Sequence, residues 1–201
     1  MKIYVIDTET TTTDFKDPKL GGRPNGHIVE LGLVRLDTWT GSIINLAHYI
    51  FKDEEASGEE WVYKNTDLPY RSITFDDIRI ADAELRLNAM MFADDMLPIT
   101  AFNWTGFDRW MIERDLPRFS DVCRWLPDIM DAADKIDAIP RKIHDSGTGF
   151  VSKPSVQSTW DYLFPRDPMT EQHRALSDAW QEARILKELI KMGIYKLPEG
   201  I

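Results

Sequence analysis

Residues Lys2 to Asp7, KIYVID, run apolar straight into the polar stretch DTETTTTD, and no other part of the chain limits the fold so tightly. A short apolar run closed by turn-forming residues is the pattern of a buried strand. The end of that strand carries two carboxylates, Asp7 and Glu9. Side chains alternate faces along a strand, so these two acids point the same way if the strand persists to Glu9. An acidic surface loop would show no such apolar lead-in.

The remaining pattern extends this strand into an α/β sheet. HIVELGLVRLD and SIINLAHYIF, separated by TWTG, read as two strands of an antiparallel hairpin or meander. A helix is expected from Thr74, with Asp77 three residues on as its start signal and Ile78, Ala81, Leu85, Asn88 and Met91 along one face. MLPITAFN is a fourth strand. WTGFDRWMIERDL is a helix in which Phe107, Trp110, Met111 and Arg114 share a face and Asp108 lies near the first turn. CRWLPDIMDAA reads as a fifth strand feeding a helix. The last long helix is expected over roughly Glu171 to Met192, with an apolar stripe at Leu176, Ala179, Trp180, Ala183, Leu186 and Ile190. Asp178 falls off that stripe, and read alone it is a solvated helix residue. No repeat interrupts the pattern, and residues 1–201 read as a single domain.

Three stretches read as loops. Phe15 to Gly26 is rich in glycine and proline and carries Lys16, Lys19 and Arg23; Asp53 to Pro69 is acidic and turn-rich; Arg141 to Phe150 contains Arg141, Lys142 and His144. The basic residues are candidate phosphate contacts, although charged loops are usually solvated surface.

With 43% hydrophobic residues in 201, the chain can bury a substantial core. A single cysteine, Cys123, excludes an internal disulfide and fits a reducing compartment. The start MKIYVIDTE reaches charge too early for a signal peptide, and no apolar run approaches membrane-spanning length, so a soluble, cytoplasmic protein without a membrane partner is expected. A formal net charge of −10 argues against coating of duplex DNA, which relies on lysine and arginine neutralising many phosphates. It leaves room for an enzyme that grips only a strand end and must let its product go.

Asp7, Glu9, Asp108 and Asp178, with His173, form the candidate site. Four carboxylates gathered in a dry cleft repel one another and are tolerated only when cations or protons neutralise them. Hard divalent ions such as Mg²⁺ or Mn²⁺ prefer carboxylate and water oxygens, and two of them about 3.5–4 Å apart suit phosphodiester hydrolysis. A histidine, with an ordinary pKa of about 6.5, accepts a proton from water near neutral pH where a coordinated carboxylate does so poorly, which makes His173 the general base. An Asp-x-Glu pair alone is common by chance, and His173 alone is an ordinary helix-entry residue. Their ordered combination is what points to a metal-dependent nuclease.

DTET at Asp7 to Thr10, IVELG from Ile28 to Gly32, FNWTGFD with Asn103 and Asp108, and HRALSDA with His173 five residues before Asp178 together resemble the motifs of the DEDD exonuclease superfamily. The histidine spacing is that of its DEDDh branch, which includes proofreading subunits, ribonuclease T and oligoribonuclease. Three details differ from the usual pattern: Asn103 and Asp108 are five apart rather than four, Phe102 stands where a histidine is common, and Thr10 to Thr13 replace threonine-glycine.

The resemblance implies a ribonuclease H-like α/β fold, with a mixed five-stranded sheet, three strands antiparallel and two parallel, flanked by helices. It implies hydrolysis from the 3′ end, releasing nucleoside 5′-monophosphates, with two Mg²⁺ or Mn²⁺ ions per site. Asp7, Glu9 and Asp178 would hold one ion, Asp7 would bridge to the second, and Asp108 would act largely through water. Single-stranded nucleic acid 3′ ends, and a polymerase for proofreading members, are the implied partners. Thr8, Thr10 and Asn103 are expected to line the terminal sugar and base. Trp104 and Phe107 either stack or pack, core or helix-face packing being favoured for Phe107. A DNA exonuclease, an RNA-trimming exonuclease and a silent end-binding or polymerase-accessory protein remain as readings, and the intact five-residue set speaks against the last.

Overall fold

The apolar N-terminal run becomes β1 (Lys2–Thr10), the middle strand of a five-stranded sheet. The computed structural model describes residues 1–11, 26–51, 61–66, 68, 78–141, 151–169 and 173–198. With β2 (Ile28–Asp37), β3 (Ile43–Ile50), β4 (Pro98–Thr100) and β5 (Arg124–Trp125), the sheet order is β3-β2-β1-β4-β5. β1 pairs antiparallel with β2, and β2 with β3, while β4 lies parallel to β1 and β5 parallel to β4. This is the mixed sheet of a ribonuclease H-like fold, with three antiparallel strands and two parallel additions.

β1 is apolar without interruption because both of its faces are covered. Ile3 and Val5 face one core with Ala179, Ala183 and Leu186, whereas Tyr4 and Ile6 face another with Leu87, Met91, Met111 and Phe119. The first layer contains α5 (Ile129–Ala133), α6 (Val156–Leu163) and α7 (Ala175–Lys191). The second contains α2 (Ile80–Ala93), α3 (Asp108–Asp115) and α4 (Pro117–Val122), and a short α1 (Trp61–Asn65) precedes them in the chain. No helix among the described residues is long and apolar enough to cross a membrane.

Three expected helices differ in phase from the structure. α2 starts at Ile80, and Ile78 instead forms an extended bridge to Phe51, so counting Ile78 as helical rotates the stripe; Thr74 and Asp77 lie outside the described residues. The buried side chains are Ala83, Leu87 and Met91, at the four-residue spacing of one face, and Leu85 is exposed.

In α7, which starts at Ala175 (Glu171 lies outside the described residues), Ala179, Ala183 and Leu186 of the expected stripe are buried, but Trp180 is exposed and Asp178 is buried, the reverse of what the stripe gives for those two. Small side chains at Ala175, Ala179 and Ala183 let the helix lie close on the sheet, and the acids beside them are enclosed with them. Gly32 on β2 marks the closest approach: a Cβ there would stand 2.3 Å from backbone atoms of Ala175 and Leu176. α3 forms where expected, but its inward face is Asp108, Met111 and Ile112 rather than Trp110 and Arg114.

Candidate active site

β1 and β4 run in the same direction, and the chain leaves β4 into a turn that ends at α3. Their carboxyl ends therefore meet, the usual place for a site in a sheet of this kind. β1 supplies Asp7, Thr8, Glu9 and Thr10, with a bulge between Glu9 and Thr10 where pairing to β2 shifts. Asp108, the first residue of α3, is fastened to β1 because Thr8 donates to its Oδ1 from both the backbone N–H, at 3.1 Å, and the hydroxyl, at 2.6 Å.

The third contribution enters with α7. His173 has a left-handed backbone, φ 51°, just before the helix, and the Arg174 N–H donates to Asp178 Oδ2 at 3.0 Å. This entry is clamped to β2 by Glu30, whose fully buried carboxylate accepts from the Arg174 guanidinium at 2.8–3.1 Å and from the Ala175 N–H at 3.2 Å. His48 Nε2 lies 2.5 Å from the same group. Burial pushes the Glu30 carboxyl up, but hydrogen bonds from His48 and Arg174 outweigh it and hold the group below its ordinary value. The glutamate and the glycine of IVELG thus have one physical role, seating α7 so that His173 and Asp178 face β1.

The longer spacing between Asn103 and Asp108 is absorbed in a turn. Asn103 takes φ 64°, and its carbonyl accepts from the N–H groups of Gly106 and Phe107. The Asp128 carboxylate accepts from the backbone N–H of Asn103 at 2.8 Å and from the N–H and hydroxyl of Thr105 at 3.1 and 2.8 Å. On the α7 side, Glu182 Oε2 accepts the Phe102 N–H at 3.0 Å.

These elements surround a cavity of about 650 Å³, within the range of pockets that enclose small organic ligands. Asp7, Glu9, Asp108, His173 and Asp178 all line it, as do Thr8, Thr10, Asn103 and Phe107. Arg141 and Lys153 also line it, and they pair with Asp134 and Asp131. Lys142, His144, Lys16, Lys19 and Arg23 lie outside the described residues.

Trp104 corrects the expectation of a base-stacking residue. It is 6% exposed, packs against Trp125 with ring centroids 4.6 Å apart, and is not among the residues around the cavity. Asn103 lines the cavity while Trp104 does not, and the aromatics that reach it are Phe102 and Phe107, packing being the favoured expectation for the second. Glu182 was missed in the sequence, although it follows Asp178 by four residues and so shares its helix face; Asp128 was missed as well.

Ligand atoms of Glu9, His173 and Asp178 lie within 4.8 Å of one another, a donor set of two carboxylates and one imidazole. Asp7 is held well above the usual carboxylate range by burial and then by repulsion from Glu182, Asp108, Glu9 and Asp178. Burial also raises Asp108 to about 6, against the lowering effect of its Thr8 hydrogen bonds. Glu182 is raised well above its ordinary value by burial and then by the charge of Asp108. The site gathers five carboxylates around one cavity, and its oxygen-rich donors fit hard divalent cations such as Mg²⁺ or Mn²⁺.

No protein-family model and no curated protein matches the sequence. Solved structures do match. The nuclease domain of 3′hExo, a DEDDh family member bound to rAMP, aligns over 100% of this chain and 97% of its own, with a TM-score of 0.66 at 15% identity. Cell-death related nuclease 4 (CRN-4) matches 96% of this chain with a TM-score of 0.66 at 14% identity, this chain spanning 64% of it. Exonuclease I of E. coli with a dA16 oligonucleotide matches 95% of this chain and 41% of its own, with a TM-score of 0.57 at 18% identity. Over its whole length the chain has the ribonuclease H-like fold of the DEDDh 3′-exonucleases.

Proposed function

We propose that this chain is a metal-dependent 3′–5′ exonuclease that shortens single strands, releasing nucleoside 5′-monophosphates. One observation carries the reading: Asp7, Glu9, Asp108, His173 and Asp178, from distant segments of the chain, line one cavity at the carboxyl ends of β1 and β4. The whole-chain likeness to 3′-exonucleases supports it.

Asp7, Glu9, Asp108 and Asp178 would hold two divalent cations, with Thr8 fixing Asp108. When bound, such ions neutralise the carboxylates and polarise water and phosphoryl oxygens. His173 accepts the proton of the attacking water as its oxygen bonds to phosphorus. The bond from phosphorus to the 3′ oxygen of the preceding nucleotide breaks, and that oxygen takes up a proton from solvent. Thr10, Asn103 and Phe107 border the space for the terminal sugar and base.

Single-stranded or frayed DNA is the first substrate of this proposal and RNA the alternative; the 2′ hydroxyl is the group that separates them. Among the solved relatives, exonuclease I is bound to dA16 and 3′hExo to rAMP.

A 5′-labelled oligonucleotide, as DNA and as RNA of matched sequence, is incubated with Mg²⁺ or with chelator. A ladder shortening from the 3′ end only with Mg²⁺ is expected, together with resistance of a strand blocked at its 3′ hydroxyl. Unimpaired release of mononucleotides from the blocked strand contradicts the proposal.

A further inference from the structure

One carboxylate in the cavity belongs to none of the sequence motifs. Glu182 sits one helical turn beyond Asp178 on the same face of α7, is 2% exposed, and lines the cavity. Its Oε2 is pinned by the Phe102 N–H at 3.0 Å, and its other oxygen has no hydrogen-bond partner among the described residues. Asp7 and Asp108 line the same cavity.

Tying the Phe102 N–H to α7 requires only one neutral acceptor. An acid placed there adds negative charge to a buried group of carboxylates, an arrangement that is unfavourable unless something positive is shared among them. Among the described residues the lysine and arginine of the cavity, Lys153 and Arg141, pair with Asp131 and Asp134, whereas Asp7 and Asp108 line the cavity with Glu182.

We propose that Glu182 is a fifth carboxylate of the cation site, fixed through Oε2 by the turn after β4 and offering its second oxygen to the cation held by Asp7 and Asp108. This rests on the metal-dependent reading above. It also gives the turn at Phe102 a function: the hydrogen bond orients the carboxylate, and the carboxylate joins α7 to the ends of β1 and β4.

The test is cation binding by calorimetric titration with Mn²⁺ alone, without nucleic acid. Glu182→Gln keeps an oxygen for the Phe102 N–H and removes only the charge. Loss of a carboxylate next to a bound ion is expected to weaken Mn²⁺ binding by about 10–100-fold. A loss below tenfold overturns the assignment, because a residue that served only to hold Phe102 is replaced by glutamine without effect on the ion. If the unaltered protein binds no Mn²⁺, the cation site and the part of Glu182 in it fall together; if it binds and E182Q binds equally, only Glu182 is reassigned. A crystal of the unaltered protein soaked in Mn²⁺ decides the matter without any variant. Anomalous density joined to Glu182 directly or through one water supports the proposal, and density further away overturns it.

Discussion

Asp108→Asn removes one negative charge from the acid cluster while leaving an oxygen to accept from the Thr8 N–H and hydroxyl. In the cation-free protein the Asp108 carboxyl is raised from 3.8 to about 6, burial being the main cause. A folded-state pKa above the unfolded value means that the folded chain binds the proton more tightly. The stabilisation is therefore complete below the unfolded value and is lost as pH rises through about 6. Each pKa unit corresponds to about 1.4 kcal/mol, so ionising Asp108 costs the cation-free protein about 3 kcal/mol once the pH is well above that range.

The asparagine variant escapes this cost. In urea denaturation with chelator present, the stability of Asp108→Asn relative to the parent should rise by about 3 kcal/mol between pH 4 and pH 8. Saturating Mg²⁺ narrows the difference near pH 8, since an ion that binds only the folded state at a hundred times its Kd adds about 2.7 kcal/mol to the parent and less to a variant lacking a ligand. A stability gap that does not change with pH, or a variant less stable than the parent at pH 8 without cations, refutes the reasoning.

His173→Ala should lower turnover by about 10²–10⁴-fold if the imidazole is the base, with the melting temperature little changed; near-full activity across neutral pH would remove it from that role. Gly32→Ala forces a methyl group to within 2.3 Å of the α7 backbone. Overpacking of this kind costs about 1–3 kcal/mol or more, and the displaced helix entry should also lower activity; a variant with unchanged denaturation midpoint and rate would show that α7 is not seated through that contact.

Much of the sheet could be read from local pattern. KIYVID is continuous because both faces of β1 are covered, and the strands at IVELG, PIT and RW follow from apolar runs and the turns between them. The acids at Asp7 and Glu9 could be placed because a strand end has a definite direction and alternation has a fixed period. Asp108 and the pair His173 and Asp178 were recognisable as motifs, but nothing local says that Asp178 is buried. Taken by itself it sits among polar neighbours, off the stripe that periodicity selects.

The chain's order of residues was enough to establish the number of strands, the acids at the first strand end and the chemical character of the cleft, because strand periodicity and the hardness of carboxylate donors are local properties, while the mixed type of the sheet followed from the resemblance of the motifs. The enclosure of Asp178 and Glu182, the clamp of Glu30 on Arg174, the turn held by Asp128 and the exchange of roles between Trp104 and Phe107 depended on long-range packing. Which side of a helix is inward depends on how closely it approaches the sheet, and that distance is set here by Gly32 against Ala175, residues far apart along the chain.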